Sequence, residues 1–170
     1  MSGLRVNVSD LMHHSGARRA VHLTAPMQGL EVIGSRVPAR DPLTVDLTLE
    51  RINEGILVMG DVEGHWVAEC SRCLVDLDVP FAVEVRELFE RDPLDEETYA
   101  IEGDEVDLEP VVRDAVLVEL PLAPVCDAAC RGLCPVCGAD RNRDDCGHRP
   151  ESSDPRWAAL GALEFHDNPN

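Results

Sequence analysis

Five thiols and an imidazole fall within twenty-three residues of this chain: Cys126, Cys130, Cys134, Cys137 and Cys146, closed by His148. An upstream pair, Cys70-Ser-Arg-Cys73, brings the total to seven cysteines and one well-placed histidine. A chain that crowds soft ligands in this way must fold so that they meet. Eight ligands fill two tetrahedral zinc shells. In Cys134-Pro-Val-Cys137-Gly138 two intervening residues let both sulfurs face one ion, and the glycine permits the tight turn beneath it. Spacing therefore assigns Cys134, Cys137, Cys146 and His148 to one zinc site, and Cys70, Cys73, Cys126 and Cys130 to a second. The second would join a turn in mid-chain to the entry of a C-terminal module, and the division is less firmly indicated than the total.

Three other uses of cysteine compete with this reading. Disulfides suit secreted chains, but the opening Met1-Ser-Gly-Leu-Arg-Val-Asn7 has neither a charged start nor an apolar run, and an odd thiol count pairs badly. Buried unliganded cysteines usually occur singly in apolar strands, not as CxxC pairs beside turn residues. A redox-active CxxC, or a zinc–thiolate switch that oxidants open, remains an alternative. Cys-rich shells also accept iron as well as zinc.

Charge limits the partners. The net charge is −18, and residues 84–125 alone hold 14 acids against 3 bases. Binding to phosphate backbones is driven by neutralising charge, so this chain is a poor candidate for coating nucleic acid. Screening over about 8 Å still lets a local patch act on its own. The span 126–149 is neutral, with Arg131, Arg141, Arg143 and Arg149 balancing Asp127, Asp140, Asp144 and Asp145. If the chain contacts RNA, as a zinc ribbon would, these arginines with Arg18 and Arg19 are the place for it, although a solvated face is the commoner role for any one of them. The acidic stretch 90–105 reads as a solvated, mobile linker, or as a docking tail for a basic protein. No stretch approaches the ~20 apolar residues of a membrane span, so a cytoplasmic protein that needs no membrane is expected.

Periodicity outlines an α+β scaffold: an antiparallel meander or partly closed barrel with one packed helix, a small zinc module and a short terminal helix. Leu4, Val6 and Val8 alternate as a short strand before a turn or short helix at 9–16, and residues 20–37 fit one or two strands. Leu43, Val45, Leu47 and Leu49 alternate with polar residues, and Asn53-Glu-Gly55 makes a turn. A long strand then runs from Ile56 to Glu69, with Gly60 and Gly64 as bulges. Alternation resumes from Leu74 to Phe89, which puts Cys70 and Cys73 on a hairpin tip. Asp107 can cap a helix from Leu108 to about Glu119, whose apolar face includes Val111, Val112, Ala115, Val116 and Val118. Pro121 and Pro124 end it. Asp154-Pro155 opens a short helix to Leu163 that would dock Trp157, Leu160 and Leu163. The domains expected are a core over 1–125, a zinc-ribbon-like module over 126–149, and a docking helix with tail over 150–170.

The order of these features resembles the YceD family. The resemblance rests on a β-rich segment with CxxC, an acidic stretch, and Asp107-Leu-Glu-Pro-Val-Val-Arg113-Asp114 running to Leu120-Pro121-Leu-Ala-Pro124. It is completed by Cys126-x3-Cys130-Arg-Gly-Leu-Cys134-Pro-x-Cys137-Gly and Asp154-Pro-Arg-Trp-Ala-x-Leu160. It covers roughly residues 40–165. The family comprises bacterial and plastid proteins needed for accumulation of large-subunit ribosomal RNA. The resemblance implies a role in synthesis, processing or stability of 23S rRNA, with a large-subunit precursor, its rRNA or a basic ribosomal protein as partner. Some members lack the C-terminal cysteine run, so the metal module would be an elaboration. The family commonly ends that run with Cys-x-Cys, where this chain has Cys146-Gly-His148. Histidine keeps a four-ligand shell and argues against a redox thiol at that position.

Catalysis is not expected. Both sites, as assigned, are closed by four protein ligands with no position left for water, the mark of structural zinc. No Gly-rich phosphate loop, HExxH helix or Gly-x-Ser-x-Gly elbow occurs. His13, His14, His22, His65 and His166 show no partner pattern, and no small-molecule substrate is suggested. The expectation is a non-catalytic ribosome biogenesis factor.

Overall fold

The computed structural model describes residues 3–93 and 98–149. The expected helix from Asp154 to Leu163 and the tail beyond it lie outside these residues. By internal packing the chain divides into two compact units, 1–130 and 131–170.

The first unit is dominated by its sheet. After β1 (Arg5–Asn7) and a 3-10 turn at Leu11–His13 come β2 (Arg18–Ala25), the two-residue β3 (Ser35–Arg36), β4 (Leu43–Arg51), β5 (Ile56–Glu69) and β6 (Asp76–Glu90). Two short strands, β7 (Tyr99–Glu102) and β8 (Glu105–Asp107), precede α1 (Glu109–Glu119). The order across the sheet is β1-β8-β7-β6-β5-β4-β2, with β3 on β5, and the whole curls into half a barrel. The expected meander accounts for β4, β5 and β6, which pair antiparallel. The antiparallel pairing continues to β2, which lies against β4, but ends at β6, because β7 runs parallel to β6 through Phe89↔Tyr99 and Glu90↔Ala100. With one helix of eleven residues, the described fold is sheet-dominated and not evenly α+β.

Alternation decides which face is buried. Val45, Leu47 and Leu49 of β4, Ile56, Val58 and Val62 of β5, and Phe81, Val85 and Phe89 of β6 all point into one core. Val111, Val112 and Val116 of α1 join it, as does Leu108 at the helix start. Asp107 acts one residue ahead of the cap position, its carboxylate accepting the Glu109 amide at 3.0 Å. Val118, read from the sequence as part of the apolar face, is 88% exposed, because it lies a half-turn off the stripe set by Val112 and Val116. Phe89 stacks on Tyr99 with ring centroids 5.3 Å apart, fixing β7 to the end of β6.

Two expectations are overturned. Within the stretch 90–105, read as a solvated linker or docking tail, residues 99–102 are β7 and residue 105 opens β8, held by burial of Ile101 and Val106 beneath their acidic neighbours. Gly60 and Gly64 are not bulges, since the register of β5 runs unbroken from Ile56↔Phe89 to Glu69↔Asp76. They are glycine because the neighbours are too close. A Cβ on Gly64 would lie 2.6 Å from Leu43 Cδ2, and one on Gly60 would lie 2.1 Å from the Asp46 carbonyl oxygen.

Ser35 anchors the segment after α1. Its buried hydroxyl donates to the Pro121 carbonyl at 2.8 Å, next to the chain that leads to Cys126. Ser35→Ala removes that donor, so a loss of about 1 to 3 kcal/mol is expected in denaturant unfolding. An unchanged midpoint would show that the bond contributes nothing.

Candidate metal centres

The loop between β5 and β6 presents the first cysteine pair. The Cys70 amide donates to Val75 O at 2.8 Å and the Leu74 amide to Cys70 O at 2.9 Å. In the second unit the Cys134 amide donates to Ala139 O at 2.8 Å and the Gly138 amide to Cys134 O at 2.8 Å. Offsets of five and four residues recur, so the two CxxC turns are built alike. Gly138 takes the left-handed conformation this turn needs, with φ +73°. Leu74 occupies the same place with φ +59° and is the one non-glycine residue with positive φ among those described. An apolar side chain held there is strained, which marks a backbone positioned for a purpose. Sequence reasoning missed it, since leucine carries no turn signal.

Each turn faces a second pair of ligands. Cys73 Sγ lies 3.6 Å from Cys126 Sγ, and Cys70 Sγ lies 3.9 Å from Cys130 Sγ. A tetrahedron of sulfurs about 2.3 Å from a zinc ion has edges of about 3.8 Å. A disulfide needs about 2.05 Å, and no disulfide joins any of the seven cysteines. One ligand atom from each of Cys70, Cys73, Cys126 and Cys130 lies within 4.8 Å of the others, and the same holds for Cys134, Cys137, Cys146 and His148. Both quartets can hold a metal ion.

The electrostatics fit a cation. Burial works to raise the Cys70 thiol, but backbone amides of Cys126, Cys73 and Arg72 stabilise its thiolate and bring it to about 6. The Cys126 and Arg72 amides reach its sulfur at 3.4 and 3.5 Å. Cys126, by contrast, is pushed up to about 12 by its hydrogen bonds with Cys73 and then Cys130. In the other quartet, amides of Cys137 and Val136 draw Cys134 down to about 6. In each group one thiolate forms readily while other thiols are raised, Cys73 and Cys126 in the first and Cys146 in the second, so uptake of a divalent ion there would expel protons from these.

The arginines are placed unevenly. Arg131, Arg143 and Arg149 are exposed and Arg141 is half-buried, and Arg143 pairs with Asp140 at 3.5 Å. Arg18 and Arg19 are engaged by Glu50 at 2.9 Å and Asp10 at 2.8 Å, so neither presents an unpaired charge to phosphate. The solvent face of the sheet adds a feature not read from the sequence. His22, Asp46, Asp61 and Glu84 stand abreast on β2, β4, β5 and β6, all exposed, with Glu63 beside them. His22 bonds to Asp46, and His65 to Asp78 at 3.1 Å. The alternation carried the signal, but the register that aligns three carboxylates is set by tertiary pairing. No helix among the described residues is long and apolar enough to cross a membrane.

A family model described as large ribosomal RNA subunit accumulation protein YceD matches residues 58–164, a span that includes all eight side chains of the two quartets. An uncharacterized protein of Mycobacterium tuberculosis is 37% identical over 169 residues, covering 94% of this chain and 80% of its own length. The uncharacterized protein YlbN of Bacillus subtilis is 31% identical over 112 residues, covering 63% of this chain and 65% of its own. A chloroplast protein of Arabidopsis thaliana, named large ribosomal RNA subunit accumulation protein YCED homolog 1, is 37% identical over 59 residues, which is 35% of this chain and 18% of the relative. No solved structure matches the chain.

Proposed function

The chain belongs to the YceD family, and from that footing we propose that it is a non-catalytic, cytoplasmic factor that sustains accumulation of 23S rRNA during assembly of the large ribosomal subunit. The observation that carries this reading is the family match, which spans the β5–β6 hairpin, α1 and both quartets. Zinc is the ion we assign to each quartet, as a four-sulfur shell and a three-sulfur, one-nitrogen shell. Four protein ligands close each shell, so the metal supplies structure and leaves no position for an activated water.

Charge favours a basic ribosomal protein over rRNA as the direct partner. Asp46, Asp61 and Glu84 stand side by side at a cost to the free protein, since like charges directly opposite on a sheet repel. A cationic protein relieves that repulsion, whereas a phosphate backbone adds to it. Depletion of the protein in its own cells is expected to lower the ratio of large- to small-subunit rRNA, and the protein is expected to co-sediment with large-subunit precursors. An unchanged ratio after complete depletion overturns the reading.

A further inference from the structure

Arg72 lies in sequence between two ligands of the first quartet and bonds to the backbone at a third, Cys130. Its guanidinium Nη1 donates to the Ala128 carbonyl at 3.1 Å and to the Cys130 carbonyl at 3.0 Å. Its own amide approaches Cys70 Sγ at 3.5 Å. The carbonyls belong to a small turn in which the Cys130 amide donates to Asp127 O at 3.0 Å and the Ala129 amide to Asp127 Oδ1 at 2.7 Å. That turn sets Cys126 and Cys130 at the spacing they need. With the Ser71 amide, which donates to Pro124 O at 2.8 Å, and the Cys126 amide on Cys70 Sγ, this side chain from the β5–β6 loop ties together the two halves of a site whose ligands are more than fifty residues apart.

We propose that Arg72 is the positioning residue of this quartet: it pre-assembles the Cys126–Cys130 turn against the Cys70–Cys73 loop and offsets the negative charge of the filled site. The inference rests on the metal reading of the quartet. Two physical effects act together. Four thiolates around a divalent ion leave a net charge of about −2, which a nearby guanidinium stabilises. The two carbonyl bonds also hold the second pair of sulfurs near their final places, so less ordering remains when the ion arrives. Lysine supplies the charge, but its ammonium on a flexible stem lacks the planar group that makes both bonds in a fixed geometry.

Full-length protein, stripped of metal under reducing conditions, is to be titrated with Zn2+ against a chromophoric chelator and with Co2+ by absorption. The same titrations on a full-length Cys137→Ser background report the first quartet alone. Arg72→Ala is expected to weaken that quartet about 10- to 100-fold, the range for partners that orient metal ligands, with the second quartet unchanged. Arg72→Lys is expected to fall between wild type and Arg72→Ala, with altered Co2+ ligand-field bands at the four-sulfur site. Amide exchange in β4–β6 checks that the sheet persists; should Arg72→Ala disrupt it, Arg72→Lys decides, and wild-type affinity and bands in that variant overturn the proposal. Wild-type affinity at the first quartet in Arg72→Ala likewise overturns it. Failure of the wild-type protein to take up an ion at Cys70, Cys73, Cys126 and Cys130 overturns instead the metal reading beneath it.

Discussion

Cys137→Ser is expected to halve the metal content of the full-length protein, from two equivalents to one, and to unfold residues 131–149 while the sheet stays intact. The reason is how little else holds this stretch. Leu133 is half-buried and Val136 exposed, so its two large aliphatic side chains form no core. Its backbone order comes from the turn around Cys134, the bridge Leu133↔Asp140, and polar bonds such as the Arg131 amide to Asn142 Oδ1 at 2.7 Å and the Gly147 amide to Asp145 Oδ1 at 3.1 Å. Exposed bonds of this kind contribute about 0.5 to 1.5 kcal/mol each at best. A structural zinc ion supplies an apparent ~10 to 16 kcal/mol in small modules, so its loss outweighs everything else there. Metal analysis together with amide exchange tests the prediction. Retention of two equivalents, or of exchange protection at 131–149, would contradict it.

The quartet at Cys70, Cys73, Cys126 and Cys130 is backed differently. Cys70 and Cys130 are buried, and the hairpin that carries the first pair is paired along β5 and β6 down to Glu69↔Asp76. Removing metal here should release the segment after Pro121 without melting the strands. The two sites thus have unequal structural duties, one tying a segment to an existing sheet and the other organising a module with almost nothing else to hold it.

What the sequence made legible follows the range of each signal. Local signals sufficed for the cysteines, because CxxC pairs flanked by turn residues advertise which sulfurs share a loop, and the same eight side chains gather in the fold as two quartets. They sufficed also for β4 and β6, where apolar and polar residues alternate, and for β5, a long β-rich run that follows the turn at Asn53-Glu-Gly55. They failed where strands are too short to show a period. β7 and β8 hold four and three residues, and their acidic side chains hide Ile101 and Val106, which are buried only because β6 and β1 lie alongside. The placement of Val118 failed for a related reason, since apolar composition does not say how wide a face the sheet will cover. Arg72 was invisible as a clamp because its acceptors are fifty-six and fifty-eight residues away.

Gly60→Ala should lower stability by about 3 to 5 kcal/mol, a large effect for the addition of one methyl group. Glycine inside a strand has two readings, an inserted residue or a neighbour that leaves no room, and the unbroken β5 register selects the second. Gly60 has φ +147°, a conformation L side chains rarely adopt. Its missing Cβ would sit 2.1 Å from Asp46 O and 2.9 Å from Leu47 Cα, both of them backbone atoms of β4. No side-chain rotation can relieve that clash. To admit alanine, β4 must move away from β5 in the middle of their pairing, between Val45↔Val62 and Leu49↔Val58, where the core is most completely buried. The melting temperature should fall by about 10 to 20 °C. The variant should also perturb the alignment of Asp46 with Asp61 on the opposite face, since the same strand pair carries both. A melting temperature within about 2 °C of wild type would show that β4 yields without cost and that the close approach is not a constraint.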